Sequence, residues 1–361
     1  MFLPSSLIPR YPRSISRSPL FVRTSLPPIT RVSFTWSQLL STASHPDKPF
    51  ARGTLLNGSS GRVYEIQETL SERRNPLLCV YSARAGTAKY IVKNMIEGEL
   101  EYQVGLQKLV SSSPNVRTFV DTNQEFEICI YPFLNDDLLH FSQRRLLAET
   151  RKEILCSALR GLVDLHERDI LHNDIKPDNI LIDYEEGTAG NITIKSVQIS
   201  DLEDGVIVPP GNHLRGLLCG NQLWRSPESW ARSRQKQTSD VYSFAIVMIY
   251  VMTNEMVFFV DDDQLNADDS WRYILRRHLS YFADRDGFNG LLQHIGEENP
   301  FYERIIAIAN DFPPEIPLQP FESWEHVDPV FRDLVVKMTR LDPSLRITAR
   351  EALDHPWFGR T

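Results

Sequence analysis

The sequence predicts an α+β protein of two lobes, a small β-rich N-terminal lobe followed by a larger helical C-terminal lobe. Three observations carry that expectation. Runs of β-branched and aromatic residues separated by turn dipeptides crowd residues 52–93. Beyond residue 140 apolar side chains recur every three or four positions, the period of helices with one buried face. The chain has 361 residues, 42% hydrophobic and 24% charged, which is ample material for a large core.

The elements follow in chain order. Residues 1–46 are rich in Ser and Pro and hold five arginines, with no lysine and no acidic residue. Such a stretch cannot bury enough apolar surface to fold alone, so residues 1–47 are expected to be a disordered extension. Arginine-rich, acid-free composition also fits a mitochondrial transit peptide, although Pro27-Pro28 interrupts the amphipathic helix one needs; a misassigned start is the third reading. A cytoplasmic location is expected, with a mitochondrial one as the alternative. Val63-Tyr64-Glu65-Ile66 and Leu77-Leu78-Cys79-Val80-Tyr81 read as strands, punctuated by Asn57-Gly58 and Ala85-Gly86. Glu99–Val110 reads as a helix and Phe126–Tyr131 as a strand. Ile154, Ala158, Leu162 and Leu165 place one apolar stripe on a helix over Glu149–Glu167. The longest apolar run, Phe244 to Met252, has nine residues against the roughly 20 needed to span a bilayer, and reads as a buried core helix. No internal repeat is visible.

Charge and cysteine narrow the function classes. The net charge is −8, and the body beyond the N-terminal stretch sets 34 basic against 47 acidic residues. Such a body has no field favouring nucleic acid, which is set aside as a partner. Cys79, Cys129, Cys156 and Cys219 lie far apart without metal-ligand spacing, and read as small apolar side chains in a reducing compartment.

Chemistry concentrates in Leu171-His172-Asn173-Asp174-Ile175-Lys176-Pro177-Asp178-Asn179-Ile180-Leu181. A hydroxyl becomes an effective nucleophile when a carboxylate orients it and takes its proton. Charge developing on a transferred phosphoryl group needs a cation and a metal nearby. Asp174, Lys176 and Asn179 sit on one short loop and offer base, cation and metal ligand together. The segment resembles the catalytic loop H-R-D-x-x-x-x-N of eukaryotic protein kinases, a resemblance that extends over residues 50–358. It implies a protein-kinase-like fold, with Asp174 as catalytic base, Lys176 steadying the γ-phosphate and Asn179 on magnesium. A lysine two places after the aspartate is the habit of the Ser/Thr branch.

Downstream, Asp201-Leu202-Glu203 stands where the family has D-F-G, so the resemblance makes Asp201 the second magnesium ligand. Glu203 in place of glycine is a departure, stiffening the backbone and adding charge beside the metal. Ser226-Pro227-Glu228 resembles the A-P-E that closes the activation segment, Arg346 matches the arginine that pairs with its glutamate, and Asp240 matches the buried aspartate of the central helix. From Asp201 through Gly220 there is no Ser, Thr or Tyr, and Asn173 stands where many kinases carry a phosphate-gripping arginine. The activation loop is therefore expected to be held by packing of Val206, Ile207, Val208, Leu217 and Leu218, or by a partner.

The small lobe is expected to supply the nucleotide site. Gly58-Ser59-Ser60-Gly61-Arg62-Val63 resembles the later part of the glycine-rich phosphate loop, with Leu56 at the first glycine; Gly58 and Gly61 would meet phosphates through backbone amides. Tyr90-Ile91-Val92-Lys93 resembles V-A-I-K, so Lys93 would hold the α- and β-phosphates and Ile91 would crowd the adenine. Of Glu97, Glu99 and Glu101, Glu101 is taken as the partner of Lys93, since Val104 follows on its face. Tyr131-Pro132-Phe133-Leu134 resembles the hinge: the backbone of Pro132 and Leu134 would meet adenine, Tyr131 would close the back of the pocket, and Asp137 would hold the ribose. Val63, Ile91 and Leu181 would sandwich the base.

The expectation is a Ser/Thr protein kinase using Mg·ATP on a protein hydroxyl, independent of activation-loop phosphorylation, with small lobe 48–131 and large lobe 135–358. The alternatives are a partner-binding pseudokinase, suggested by Leu56, Ile91 and Glu203, and a kinase acting on a small-molecule hydroxyl, disfavoured by the helical tail ending at His355-Pro356-Trp357-Phe358.

Overall fold

The computed structural model describes residues 48–187, 191–312 and 318–359. The expectation for residues 1–47 falls outside them.

The small lobe is one antiparallel sheet and one helix. Its strands are β1 (Leu55–Asn57), β2 (Val63–Arg73), β3 (Leu78–Ala85), β4 (Ala88–Asn94), β5 (Asp121–Asn123) and β6 (Ile128–Pro132), in the spatial order β1-β2-β3-β4-β6-β5. Alternation along the strands divides the side chains between two faces. Tyr64, Ile66, Cys79, Tyr81, Val92, Ile128 and Ile130 pack on one face. Leu70, Val80, Ile91, Cys129 and Tyr131 gather on the other, against Met95, Leu100 and Val104. Register places Val80 opposite Lys93 and Lys93 opposite Cys129.

Helix α1 (Leu100–Leu109) buries Leu100, Gln103, Leu106 and Gln107, a spacing of three and four that brings one stripe inward. Two members of that stripe are glutamines, whose polar ends demand partners inside the protein.

The large lobe begins with the pair β7 (Asp136–Asp137) and α2 (Leu138–Phe141), then α3 (Ala148–His166). The predicted stripe on α3 is buried as expected. β8 (Ile170–Leu171), β9 (Ile180–Glu186), β10 (Ile192–Ile199) and β11 (Val206–Ile207) form two small antiparallel sheets, β7-β9-β10 and β8-β11, that frame the loop at 172–179. Helices α4 (Pro227–Trp230), α5 (Gln237–Thr253), α6 (Asp262–Asn266), α7 (Ser270–Phe282), α8 (Arg285–Ile295), α9 (Phe301–Asn310), α10 (Pro329–Met338) and α11 (Ala349–Leu353) complete it. The apolar run at Phe244–Val251 is buried all round within α5, the pattern of a central core helix. Among the described residues no helix is long and apolar enough to cross a membrane.

Candidate active site

The loop after β8 is fixed from beneath by α5. Both carboxylate oxygens of Asp240 accept backbone amides, from His172 (2.8 Å) and Asn173 (3.0 Å). His172 is fully buried; its Nε2 donates to the Ser200 carbonyl (2.9 Å) while its Nδ1 accepts the Asp174 amide (3.2 Å). One imidazole thus ties the loop to the strand end that carries Asp201. Asn173 takes a left-handed φ of 68°, a conformation that asparagine tolerates better than most residues.

The structure brings Asp174, Lys176 and Asn179 together as predicted. Asp174 Oδ2 accepts Lys176 Nζ (2.7 Å) and Asn179 Nδ2 (3.1 Å), and Oδ1 accepts the backbone amide of Asn221 (2.9 Å). The Asn221 contact was not legible in the sequence, because it joins segments 47 residues apart. Burial works against the Lys176 charge, but Asp174 outweighs it and raises the ammonium above its ordinary value.

Asp201 also adopts the left-handed region, φ 66° and ψ 59°, just before the helical turn Leu202–Asp204. Lys93 Nζ donates to Asp201 Oδ1 (2.8 Å) and to Glu203 Oε1 (2.9 Å). Burial opposes ionisation of Asp201, yet Lys93, with Lys176 and His172 behind it, holds the carboxylate well below the usual range. The Glu203 side chain is 42% exposed, yet partial desolvation of its carboxyl, with Asp201 beside it, outweighs Lys93 and pushes it up to about 6. An ionised carboxylate at Asp201 and the amide oxygen of Asn179, whose nitrogen is committed to Asp174, are hard donors of the type magnesium prefers.

Two expectations about the small lobe need correction. Gly58, Gly61 and Val63 do not face Lys93. They belong to the β1–β2 hairpin, whose turn is bound to β5: the Ser59 amide donates to the Thr122 carbonyl (2.7 Å), while the Ser60 amide (3.0 Å) and hydroxyl (2.5 Å) and the Tyr64 hydroxyl (3.0 Å) donate to Asp121. Asp121 is in register with Ile130 and Val92, on the sheet face opposite to that of Ile91 and Lys93. The glycines serve the turn. A Cβ at Gly58 would lie 2.0 Å from Asp121 Oδ2, and Gly61 has φ +84°. Val63 is 45% exposed, and Val80 occupies the position beside Lys93 and Ile91. The hairpin that runs alongside the lysine strand is β2–β3, turning through Arg74-Asn75-Pro76-Leu77. It contains no glycine and presents exposed Arg73 and Arg74. Counting back across the Ala85-Gly86 turn from Lys93 would have found Val80.

Glu101 is not the partner of Lys93 either. It is exposed on α1, Glu97 is exposed in the turn before the helix, and the inward position is Gln103. Gln103 Nε2 donates to the Glu203 carbonyl (3.2 Å) and Gln107 Nε2 to the Tyr131 hydroxyl (3.0 Å). Apolar periodicity does not reveal this face, because the buried stripe of the helix includes two polar residues.

The hinge is where expected, with a difference. Pro132 ends β6, and its carbonyl accepts Arg117 Nη2, whose guanidinium lies 5.0 Å from the Tyr131 ring centre. Burial lowers Arg117 to about 10. Leu134 and Leu181 are half-buried, and β9 pairs Leu181 with Asp137. Asp137 caps α2, accepting the His140 amide (2.9 Å) and facing His140 Nδ1 (2.8 Å).

The activation segment is closed by Glu228 and Arg346, paired through two bonds of 2.7 and 3.0 Å with both side chains 0% exposed. Between Asp201 and Glu228, the expected packing is only partial: Val208 is buried but Ile207 is 45% exposed. Neutral hydrogen bonds do more. Leu214 and Gln235 exchange backbone bonds of 3.0 and 2.8 Å, Gln235 Nε2 donates to the Leu217 carbonyl, and Asn173 Nδ2 to that of Asp204.

A lysine held against a carboxylate at a strand end, beside a loop bearing aspartate, lysine and asparagine, is the residue set that phosphoryl transfer calls for. Residues 53–358 match the protein kinase domain, and the chain belongs to the protein kinase family. It is 23% identical over 307 residues to a probable cyclin-dependent serine/threonine-protein kinase of Dictyostelium discoideum, covering 84% of this chain and 20% of that protein. It is 24% identical over 270 residues to a probable cell division control protein 7 homolog of Encephalitozoon cuniculi, covering 65% and 73%. With the Aurora kinase of Eremothecium gossypii the identity is 24% over 308 residues, covering 84% and 67%. The chain thus spans a fifth of the first relative's length and about three quarters of the second's.

Proposed function

We propose that the protein is an active Ser/Thr protein kinase, transferring the γ-phosphoryl group of Mg·ATP to a protein hydroxyl without activation-loop phosphorylation. The observation that carries the reading is the joint set of Asp174, Lys176, Asn179, Lys93 and Asp201, each within hydrogen-bond reach of another member.

Bound Mg·ATP would supply the electrophilic phosphorus and the divalent charge. Asp174, kept in orientation by Lys176, Asn179 and the Asn221 amide, accepts the proton of the incoming hydroxyl. Lys176 stands beside that carboxylate as the cation for charge developing on the phosphoryl oxygens. Asn179 and Asp201 would hold the metal, and Lys93 would hold the α- and β-phosphates. Ile91, Val80 and Leu70, which share one cluster, would enclose the adenine together with Leu181, with the Leu134 backbone as its hydrogen-bonding edge. Residues 48–358 form the kinase domain, with its small lobe at 48–131 and its large lobe at 135–358.

A second reading, a pseudokinase that binds partners, is favoured by two observations: the turn alongside Lys93 lacks the glycines that let amides approach phosphates, and the Pro132 carbonyl is engaged by Arg117. Transfer of label from radioactive ATP to generic protein acceptors separates the two. Wild-type protein transfers label and Asp174→Ala loses at least about 100-fold. Equal incorporation by both, or none by wild type, refutes the kinase reading.

A further inference from the structure

We propose that Glu203 is the positioning residue that holds Lys93 ready for the nucleotide, a role that α1 leaves empty. The inference rests on the reading of Lys93 as the phosphate-binding lysine.

The residue types at two facing positions carry the argument. The buried stripe of α1 brings Gln103 inward, 1% exposed, at the helical turn that contains Glu203. A neutral amide cannot neutralise an ammonium ion, and the Oε1 atom of Gln103 is buried without a hydrogen-bond partner. The carboxylate that the helix lacks is supplied from the loop: Glu203 Oε1 lies 2.9 Å from Lys93 Nζ.

Asp201 also holds Lys93, at 2.8 Å, but its carboxylate is the one that would be shared with a divalent cation, and a shared carboxylate holds its lysine less firmly. With Glu203 as second partner, Lys93 stays anchored when Asp201 is engaged. The geometry also accounts for glutamate at the position where the family has glycine. The left-handed residue here is Asp201, at φ 66°, and Glu203 sits inside the turn Leu202–Asp204 without a positive φ. A side chain at position 203 therefore meets no backbone strain, and its carboxylate is free to point at the lysine.

The swap is reciprocal, glutamine on the helix and glutamate on the loop, so it is tested by reversing it. Binding of a fluorescent ATP analogue with magnesium is measured for wild type, Glu203→Gln, Gln103→Glu and the double variant, each checked for folding by its melting curve. Glu203→Gln should weaken binding about tenfold or more, the scale of a lost charged hydrogen bond. The double variant should recover to within about threefold of wild type, because the helix again supplies the charge. Unchanged or tighter binding by Glu203→Gln overturns the proposal, as does failure of Gln103→Glu to restore it, which would mark Glu203 as a metal ligand or a structural residue. In parallel, a thermal double-mutant cycle of Lys93→Met and Glu203→Gln on nucleotide-free protein must show coupling; strict additivity refutes the pairing. If wild type binds no nucleotide, the kinase reading fails, while this cycle still decides whether Glu203 holds Lys93.

Discussion

At the scale of single residues, the site depends on groups that differ from their neighbours in which face they take. Val63 and Val80 are both strand valines, but Val63 points to solvent and Val80 stands opposite Lys93. Val63→Ala should therefore leave nucleotide affinity unchanged and shift stability by no more than about 0.5 kcal/mol, as exposed substitutions do. Val80→Ala should weaken ATP binding by removing apolar surface from the base pocket, on the order of 1 kcal/mol or a few-fold in affinity. Titration of the two variants with the same fluorescent analogue checks the assignment; weaker binding by Val63→Ala alone would return the phosphate loop to the β1–β2 hairpin. The left-handed residues obey the same logic. Asn173 and Asp201 occupy φ values near 68° and 66°, where a bulky or β-branched residue is strained.

At the scale of elements, the activation segment is clamped where it re-enters the large lobe. Glu228 accepts both Arg346 nitrogens and the Ser239 hydroxyl (2.7 Å) in a fully buried position. Burial alone would raise the Glu228 carboxyl, but Arg346 and Ser239 reverse this and bring it from 4.5 to about 2. A carboxyl depressed by folding adds stability above its unfolded value, and that contribution disappears as pH falls from about 4.5 to about 2. Glu228→Gln should destabilise by about 3–5 kcal/mol at neutral pH by leaving Arg346 unpaired and buried. Its stability should also vary less than that of wild type over pH 4.5 to 2, as measured by urea unfolding at fixed temperature. A loss below about 1 kcal/mol would mean that water reaches Arg346. Helix α1 shows what element-level reading misses. Its length was legible, Glu99–Val110 expected and Leu100–Leu109 found. Its inward face was not, because hydrophobic periodicity is blind to a stripe containing Gln103 and Gln107.

At the scale of the whole molecule, the proposed function has two lobes share one nucleotide site. A ligand that binds only the folded state at a hundred times its dissociation constant stabilises it by about 2.7 kcal/mol. Mg·ATP should therefore raise the melting temperature by several degrees, and Asp201→Asn should remove most of that rise; an equal rise in EDTA argues against the metal assignment. The proposed independence from activation-loop phosphorylation is supported by the absence of Ser, Thr and Tyr from 201–220 and by the neutral bonds at Leu214, Gln235 and Asn173. Transfer activity should be the same before and after phosphatase treatment. A large loss traced by mass spectrometry to residues 201–228 would contradict this.

The sequence by itself determined the two-lobed architecture and the large-lobe half of the site. Asp174, Lys176 and Asn179 lie within six residues, so the local chain alone brings them together, and the spacing to Asp201 reflects one short strand pair. Only tertiary structure decided the small-lobe half. Which hairpin runs beside Lys93 depends on strand order in the sheet, and a glycine turn bound to Asp121 looks in sequence like one that binds phosphate. Which carboxylate meets Lys93 depends on a contact across 110 residues, between a loop and a strand that no local pattern relates. Local chemistry is written in spacing; the pairing of distant charges is set by packing, which decides which polar groups are buried and must find each other.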